Sequence, residues 1–136
     1  MKELTIAAKV ENIETVINFV NEQLATLDCP RKAKIQIAVA IDELFGNIAH
    51  YAYNPEIGQA TVRVEVINNP LSVVITFIDN GVPYDPLAKA DPDTTLSVEE
   101  REIGGLGIYM VKKSMDGITY EYKDGQNILA IKKNLQ

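Results

Sequence analysis

Apolar residues along this chain recur first with the two-residue period of a strand and then with that of a helix. Leu4, Ile6 and Ala8 alternate, a short strand signal. From Asn12 the period changes. Ile13, Val16, Ile17, Val20, Leu24 and Leu27 fall at helical spacing, with Asn12 as the expected N-cap and Glu14 in the first turn. Cys29-Pro30 interrupts this helix, and Pro30 suits the first turn of a second one reaching to about Tyr51. Ile35, Ala38, Val39, Ile41, Leu44, Phe45 and Ile48 give that helix its apolar surface. Residues 54–58 carry turn chemistry, 61–67 alternate as a half-buried strand, and 71–78 read as a more continuously apolar strand. The pair, joined by the turn 68–70, predicts an antiparallel hairpin. Periodicity then disappears over 80–103, where Pro83, Pro86 and Pro92 stand in an acidic stretch; loops of this length in compact domains are commonly functional. A third helix is expected over 106–115, stopped at Asp116-Gly117, and 119–123 with 127–132 make a closing hairpin around Asp124-Gly125. This order predicts an α+β fold, a two-layer sandwich with a mainly antiparallel sheet covered on one face by three helices.

Composition narrows the function classes. The 136 residues match one domain, expected to span 1–136, and 46% hydrophobic with 24% charged residues is a globular balance. Nineteen acids against thirteen bases leave a charge of −6, and the lysines are scattered, which argues against a direct nucleic-acid partner. One Cys and one His exclude an intrachain disulfide framework and make a Cys/His zinc site within one chain an unsuitable reading. The N-terminus lacks the apolar run of a signal peptide, and no window approaches ~18 consecutive apolar residues. The expectation is a cytoplasmic protein with no membrane partner, whose ligand is held by oxygen atoms, backbone amides and packing.

Three short motifs carry candidate chemistry. On the second helix Glu43 and Asn47 are four apart and share a face, where an acid and an amide suit a general base and a ligand for a hard cation. Taken alone, the pair reads as a solvated polar stripe. Gly46 beside it costs roughly 1 kcal/mol relative to Ala in a helix, which predicts a close approach to the backbone there. Next, Asp79-Asn80-Gly81 follows a buried strand. A carboxylate there can accept from an amino group on a flat base, and Gly81 lets a ring approach the main chain; an ordinary turn is the alternative. Finally, Gly104-Gly105-Leu106-Gly107 opens a helix, whose free N–H groups and partial positive charge suit phosphate. It is neither a Walker loop nor a dinucleotide fingerprint.

In order and spacing these motifs resemble the N, G1 and G2 boxes of the GHKL ATPase superfamily, and the whole chain resembles its smallest members, the bacterial anti-sigma-factor serine/threonine kinases. The Glu, three residues, Asn, then His-Ala-Tyr pattern of that family is close to the stretch from Glu43 to Tyr53. Its Asp-x-Gly-x-Pro-Phe-Asp box is similar to the segment from Asp79 to Asp85, and its Gly-Gly-x-Gly and Met-Asp correspond to Gly104 to Gly107 and Met115-Asp116. The resemblance implies a Bergerat-type ATP site using ATP and Mg²⁺. Glu43 would be the general base, Asn47 the Mg²⁺ ligand, Asp79 the reader of the adenine amino group and Gly81 a flank of the base. Gly104, Gly105, Leu106 and Gly107 would contact phosphates. Apart from the resemblance, Arg101, the lone arginine of the expected lid, is a candidate for the γ-phosphate, with a solvated lid charge as the alternative. The implied partners are a sigma factor, a small antagonist protein that receives the phosphate, and a second copy in a homodimer. His50, within the family pattern, reads as structural or site-lining rather than phospho-accepting. Two positions depart from the pattern. Tyr84 replaces Phe, and Asn127 stands where many members carry Thr, so no side-chain phosphate contact carries over to it. A catalytically inactive, ATP-sensing partner-binding module is the alternative function, and a detached ATPase lobe serving another phospho-acceptor is a third.

Overall fold

The computed structural model describes residues 1–88 and 105–135. Its elements are β1 (Lys2–Ala7), α1 (Ile13–Leu24), α2 (Arg31–Asn47), β2 (Gln59–Ile67), β3 (Ser72–Asp79), α3 (Gly105–Ser114), β4 (Gly117–Lys123) and β5 (Gln126–Asn134). Short 3-10 turns occupy Val10–Asn12 and Pro86–Ala88, and α2 continues without a break into a wide π turn, Ile48–Ala52. The strands form one sheet in the order β1-β2-β3-β5-β4, each neighbouring pair antiparallel. That is the expected α+β sandwich, in the order the periodicity predicts.

Strand alternation decides which residues meet the helices. Ala60, Val62 and Val64 of β2, Val73, Ile75 and Phe77 of β3, and Leu129 and Ile131 of β5 all point inward and are buried. Against them lie Val16, Val20 and Leu24, one face of α1, and Ile37, Ala40, Ile41, Leu44 and Phe45 of α2. Ile108 and Val111 close the core from α3. The β4–β5 connection is a two-residue turn in which Asp124 (φ 54°) and Gly125 (φ 79°) both take left-handed conformations, the geometry that matches the twist of a tight hairpin.

Several local expectations are corrected. Asn12 is not a side-chain cap: its backbone is helical and its Nδ2 donates to the Ala7 carbonyl at 2.8 Å, tying the end of β1 to the start of α1. Helix α1 ends at Leu24, so Leu27 lies beyond it, and Pro30 takes the extended position just before α2 rather than its first turn. Ile35 and Val39 do not join the core; each is about half exposed, at 55% and 52%. Gly46 is buried, and a Cβ there would meet only Ile13 Cδ1 at 3.9 Å, an ordinary contact, so no close approach to its backbone requires glycine. Strand β3 runs one residue further than the apolar pattern, through Asp79. This extension aims the Asp79 side chain to the same face as Phe77, into the molecule.

Candidate functional site

Where α2 and the π turn cross the ends of β3 and β5, the two layers leave an open cleft. Leu44, Ile48, Phe77 and Leu129 supply apolar walls, Tyr51 and Tyr84 stand at its side, and Asp79, Asn47 and Asn127 contribute polar atoms. The two tyrosine rings lie 6.0 Å apart.

Asp79 is buried, and its Oδ1 accepts two N–H groups, from Gly81 at 2.9 Å and from Asn127 Nδ2 at 2.9 Å. Among the described residues no hydrogen bond reaches its Oδ2. A carboxylate held by one oxygen with the other unbonded, in an apolar cleft, can accept from a donor on a bound ring. Gly81 has a steric reason to be glycine. A Cβ there would collide with the carbonyl of Ala52, and Val82 N–H donates to that same carbonyl at 3.0 Å. The missing side chain lets the turn after β3 lie against the end of the π turn. Tyr53 fastens the same corner, accepting from Asn80 N–H at 2.8 Å and donating to the Gln59 carbonyl at 2.6 Å.

One helical turn separates Asn47, in the cleft, from Glu43. Asn47 Nδ2 lies 3.5 Å from Glu43 Oε1, a long hydrogen bond, and points its Oδ1 elsewhere. Burial pushes the Glu43 carboxyl above its ordinary range; the Asn47 bond opposes this and neighbouring Asp42 adds to it. Glu43 also lies against Gly107 of α3, where any Cβ would overlap its carboxylate. The first and third motifs therefore touch in space. Among the described residues no group of three or more His, Cys, Asp or Glu gathers to hold a metal. Asn47 Oδ1 is an oxygen donor of the kind that would suit a hydrated Mg²⁺.

Asn47 and Asp79 thus line the cleft itself, Gly81 is bonded to Asp79, and Glu43 links Asn47 to Gly107. Gly105 and Leu106 form the first turn of α3, while Arg101 and Gly104 lie outside the described residues, as does most of the expected lid. His50 is exposed and does not line the cleft; its ring contacts Tyr51, which does. Asn127 turns its amide to Asp79, Val82, Tyr84 and Tyr120. Tyr53 closes the family-like stretch from Glu43, but nothing in that spacing shows what its hydroxyl bonds to, and motif spacing does not single out Tyr120. For Tyr120 the signal is the strand alternation that aims it inward; for Tyr53 the bond to Asn80 spans 27 residues.

Fold and cleft together define a two-layer α+β protein with a ligand pocket at the junction of a helix and the ends of two central strands. Residues 6–133 match the family described as Histidine kinase-like ATPase domain, and the chain belongs to that family. It is 25% identical over 100 residues to the serine/threonine-protein kinase BtrW of Bordetella bronchiseptica, covering 74% of this chain and 70% of that one. It is 31% identical over 98 residues to the serine-protein kinase RsbW of Bacillus cereus, covering 69% of this chain and 60% of the relative. Among solved structures, the Acinetobacter baumannii histidine kinase AdeS superposes with a TM-score of 0.56 at 14% identity, over 100% of this chain and 70% of that one, a likeness of fold. The Bergerat architecture expected from the motifs is the architecture present. Among the described residues no helix is long and apolar enough to cross a membrane.

Proposed function

We propose that this chain is an ATP-dependent serine/threonine protein kinase of the anti-sigma regulatory kind, working in the cytoplasm. It would bind a sigma factor, transfer phosphate to a hydroxyl of a small antagonist protein, and act as a homodimer. The observation that carries the reading is the order of groups along the cleft. Asp79, a buried acceptor, and Asn47 both line the cleft, and Glu43, a half-buried acid with a raised pKa, lies beside Asn47 and against the first turn of α3. That spacing suits a nucleotide lying base-first against the sheet with its phosphates toward α3.

Asp79 Oδ2 accepts from the base amino group, and the tyrosines and apolar walls hold its faces. The N–H groups of the first turn of α3 receive phosphate oxygens. Glu43 takes the proton of the incoming serine or threonine hydroxyl as that oxygen bonds to the γ-phosphorus and the bridging oxygen departs with ADP. A raised pKa makes Glu43 a stronger base than an exposed glutamate. Mg²⁺, held through Asn47, would neutralise charge on the phosphates, which supplies much of the catalysis in phosphoryl transfer.

The test separates binding from chemistry. Calorimetry measures ATP affinity, and labelled ATP follows transfer to a candidate antagonist. Glu43→Gln is expected to keep ATP affinity within a few-fold and to lower transfer by about 10²-fold or more. Transfer by the variant at the wild-type rate would remove Glu43 as the base. A partner held by wild type but never labelled would favour an ATP-sensing module.

A further inference from the structure

We propose that Asn127 sets base selectivity, positioning Asp79 so that a 6-amino purine is accepted and a 6-oxo purine refused. The inference rests on the nucleotide reading above and concerns a residue that none of the motifs contains. Asn127 lies directly opposite Asp79 in the β3–β5 ladder, both pointing inward, and is 6% exposed. All its side-chain capacity is used. Nδ2 donates to Asp79 Oδ1 at 2.9 Å and to the Val82 carbonyl at 2.8 Å, and Oδ1 accepts from Tyr84 N–H at 3.1 Å and from the Tyr120 hydroxyl.

An amide could in principle be turned over, exchanging oxygen and nitrogen. Here the backbone forbids it, because the Val82 carbonyl can only accept and the Tyr84 N–H can only donate. The nitrogen must therefore face Asp79. With Gly81 N–H it occupies Oδ1 and leaves Oδ2 without a partner among the described residues, as a pure acceptor in a residue that lines the cleft. An exocyclic amino group satisfies that acceptor. An oxo group would place lone pairs against it, leaving both unpaired, and unpaired buried groups are what give polar sites their discrimination. The same amide also engages the Tyr120 hydroxyl, so that hydroxyl's proton is not free to greet an oxo group. Without Asn127 both safeguards go. Asp79 loses a positioning donor, and a tyrosine hydroxyl near the base is released.

The probes are ATP, GTP and purine riboside triphosphate, which is ATP without the 6-amino group, titrated into the full chain by calorimetry. Wild type is expected to prefer ATP over each by roughly tenfold or more, the worth of one charge-assisted hydrogen bond. In Asn127→Val the preference over purine riboside triphosphate should fall toward unity, with affinity for the amino-free nucleotide nearly unchanged and GTP gaining relative to ATP. Asn127→Thr has almost the shape of valine plus one hydroxyl that can donate to Asp79, and should recover most of the preference. An unchanged preference in a folded Asn127→Val chain, or equal weakening of all three nucleotides, overturns the proposal. If Asn127→Val does not fold, Asn127→Thr decides, since loss of the preference in that folded chain is equally fatal. Failure of wild type to separate ATP from purine riboside triphosphate would instead defeat the reading of Asp79 itself.

Discussion

Gly81 and Glu43 show how differently two residues of one site are constrained. At Gly81 the constraint is steric, since the nearest obstacles to a side chain are backbone and Cβ atoms of Ala52, which cannot swing aside as a flexible side-chain end would. Gly81→Ala should therefore lower stability by about 1–3 kcal/mol, the range for overpacking a tight contact. Urea denaturation reads that loss, and ATP affinity should fall with it as the turn carrying Asp79 is displaced. At Glu43 the constraint is electrostatic. Its carboxyl pKa is raised above the ordinary 4.5 by burial first, so at pH between the unfolded and folded values the folded chain keeps a proton that the unfolded chain has released. Stability is therefore greatest below the unfolded value and declines as pH rises through the folded one. Glu43→Gln should raise Tm at neutral pH, with the gain closing as pH falls below 4.5, measured by thermal melts across pH. A Tm equal to wild type throughout would mean the carboxylate is effectively solvated.

At the scale of elements, the passage from α2 into the π turn governs the cleft. A π turn adds a residue to a helical ladder and commonly marks a functional site. Here it brings the Ala52 carbonyl to Val82 N–H and places Tyr53 to bridge β2 and the turn after β3. Deleting exposed His50 would return the ladder toward α spacing and rotate everything after it by about 100°. ATP affinity should then drop roughly tenfold or more while far-UV dichroism stays near wild type. His50→Ala, which keeps the spacing, should bind ATP normally. Much of this level was readable from periodicity, because helices and strands announce themselves through neighbours three, four or two residues away. The order of elements and the turn at Asp124-Gly125 follow from such local signals. What escaped depends on partners far along the chain. Asn12 has cap chemistry, yet its side chain bonds back to Ala7. Ile35 and Val39 fit an apolar helix and nonetheless face outward, since the stripe from Ile37 to Phe45 already fills the sheet-facing side. Tyr53 and Asn127 act across 27 and 48 residues, at Asn80 and Asp79, and no window of sequence holds both ends.

At the scale of the molecule, the cleft draws on β3, β5, α2 and the π turn at once, so a ligand bound there ties both layers together. ATP with Mg²⁺ at a hundred times its Kd should stabilise the folded chain by about 2.7 kcal/mol. For a chain of this size that corresponds to a rise in Tm of roughly 8–12 °C. Asp79→Asn should abolish most of the shift, because the new amide offers a donor where the base offers one too. The Asp79–Asn127 pairing has a further consequence, which concerns folding. Those two side chains meet only if β3 and β5 have joined in the correct alignment. Alternation makes alignment unforgiving, because slipping one strand by a single residue turns its polar pocket group outward and its solvent-facing row inward. Such a misaligned chain could still display a full complement of strands to a spectrometer. It would have no place for a purine. Nucleotide affinity would therefore report on strand alignment, which a count of strands cannot do.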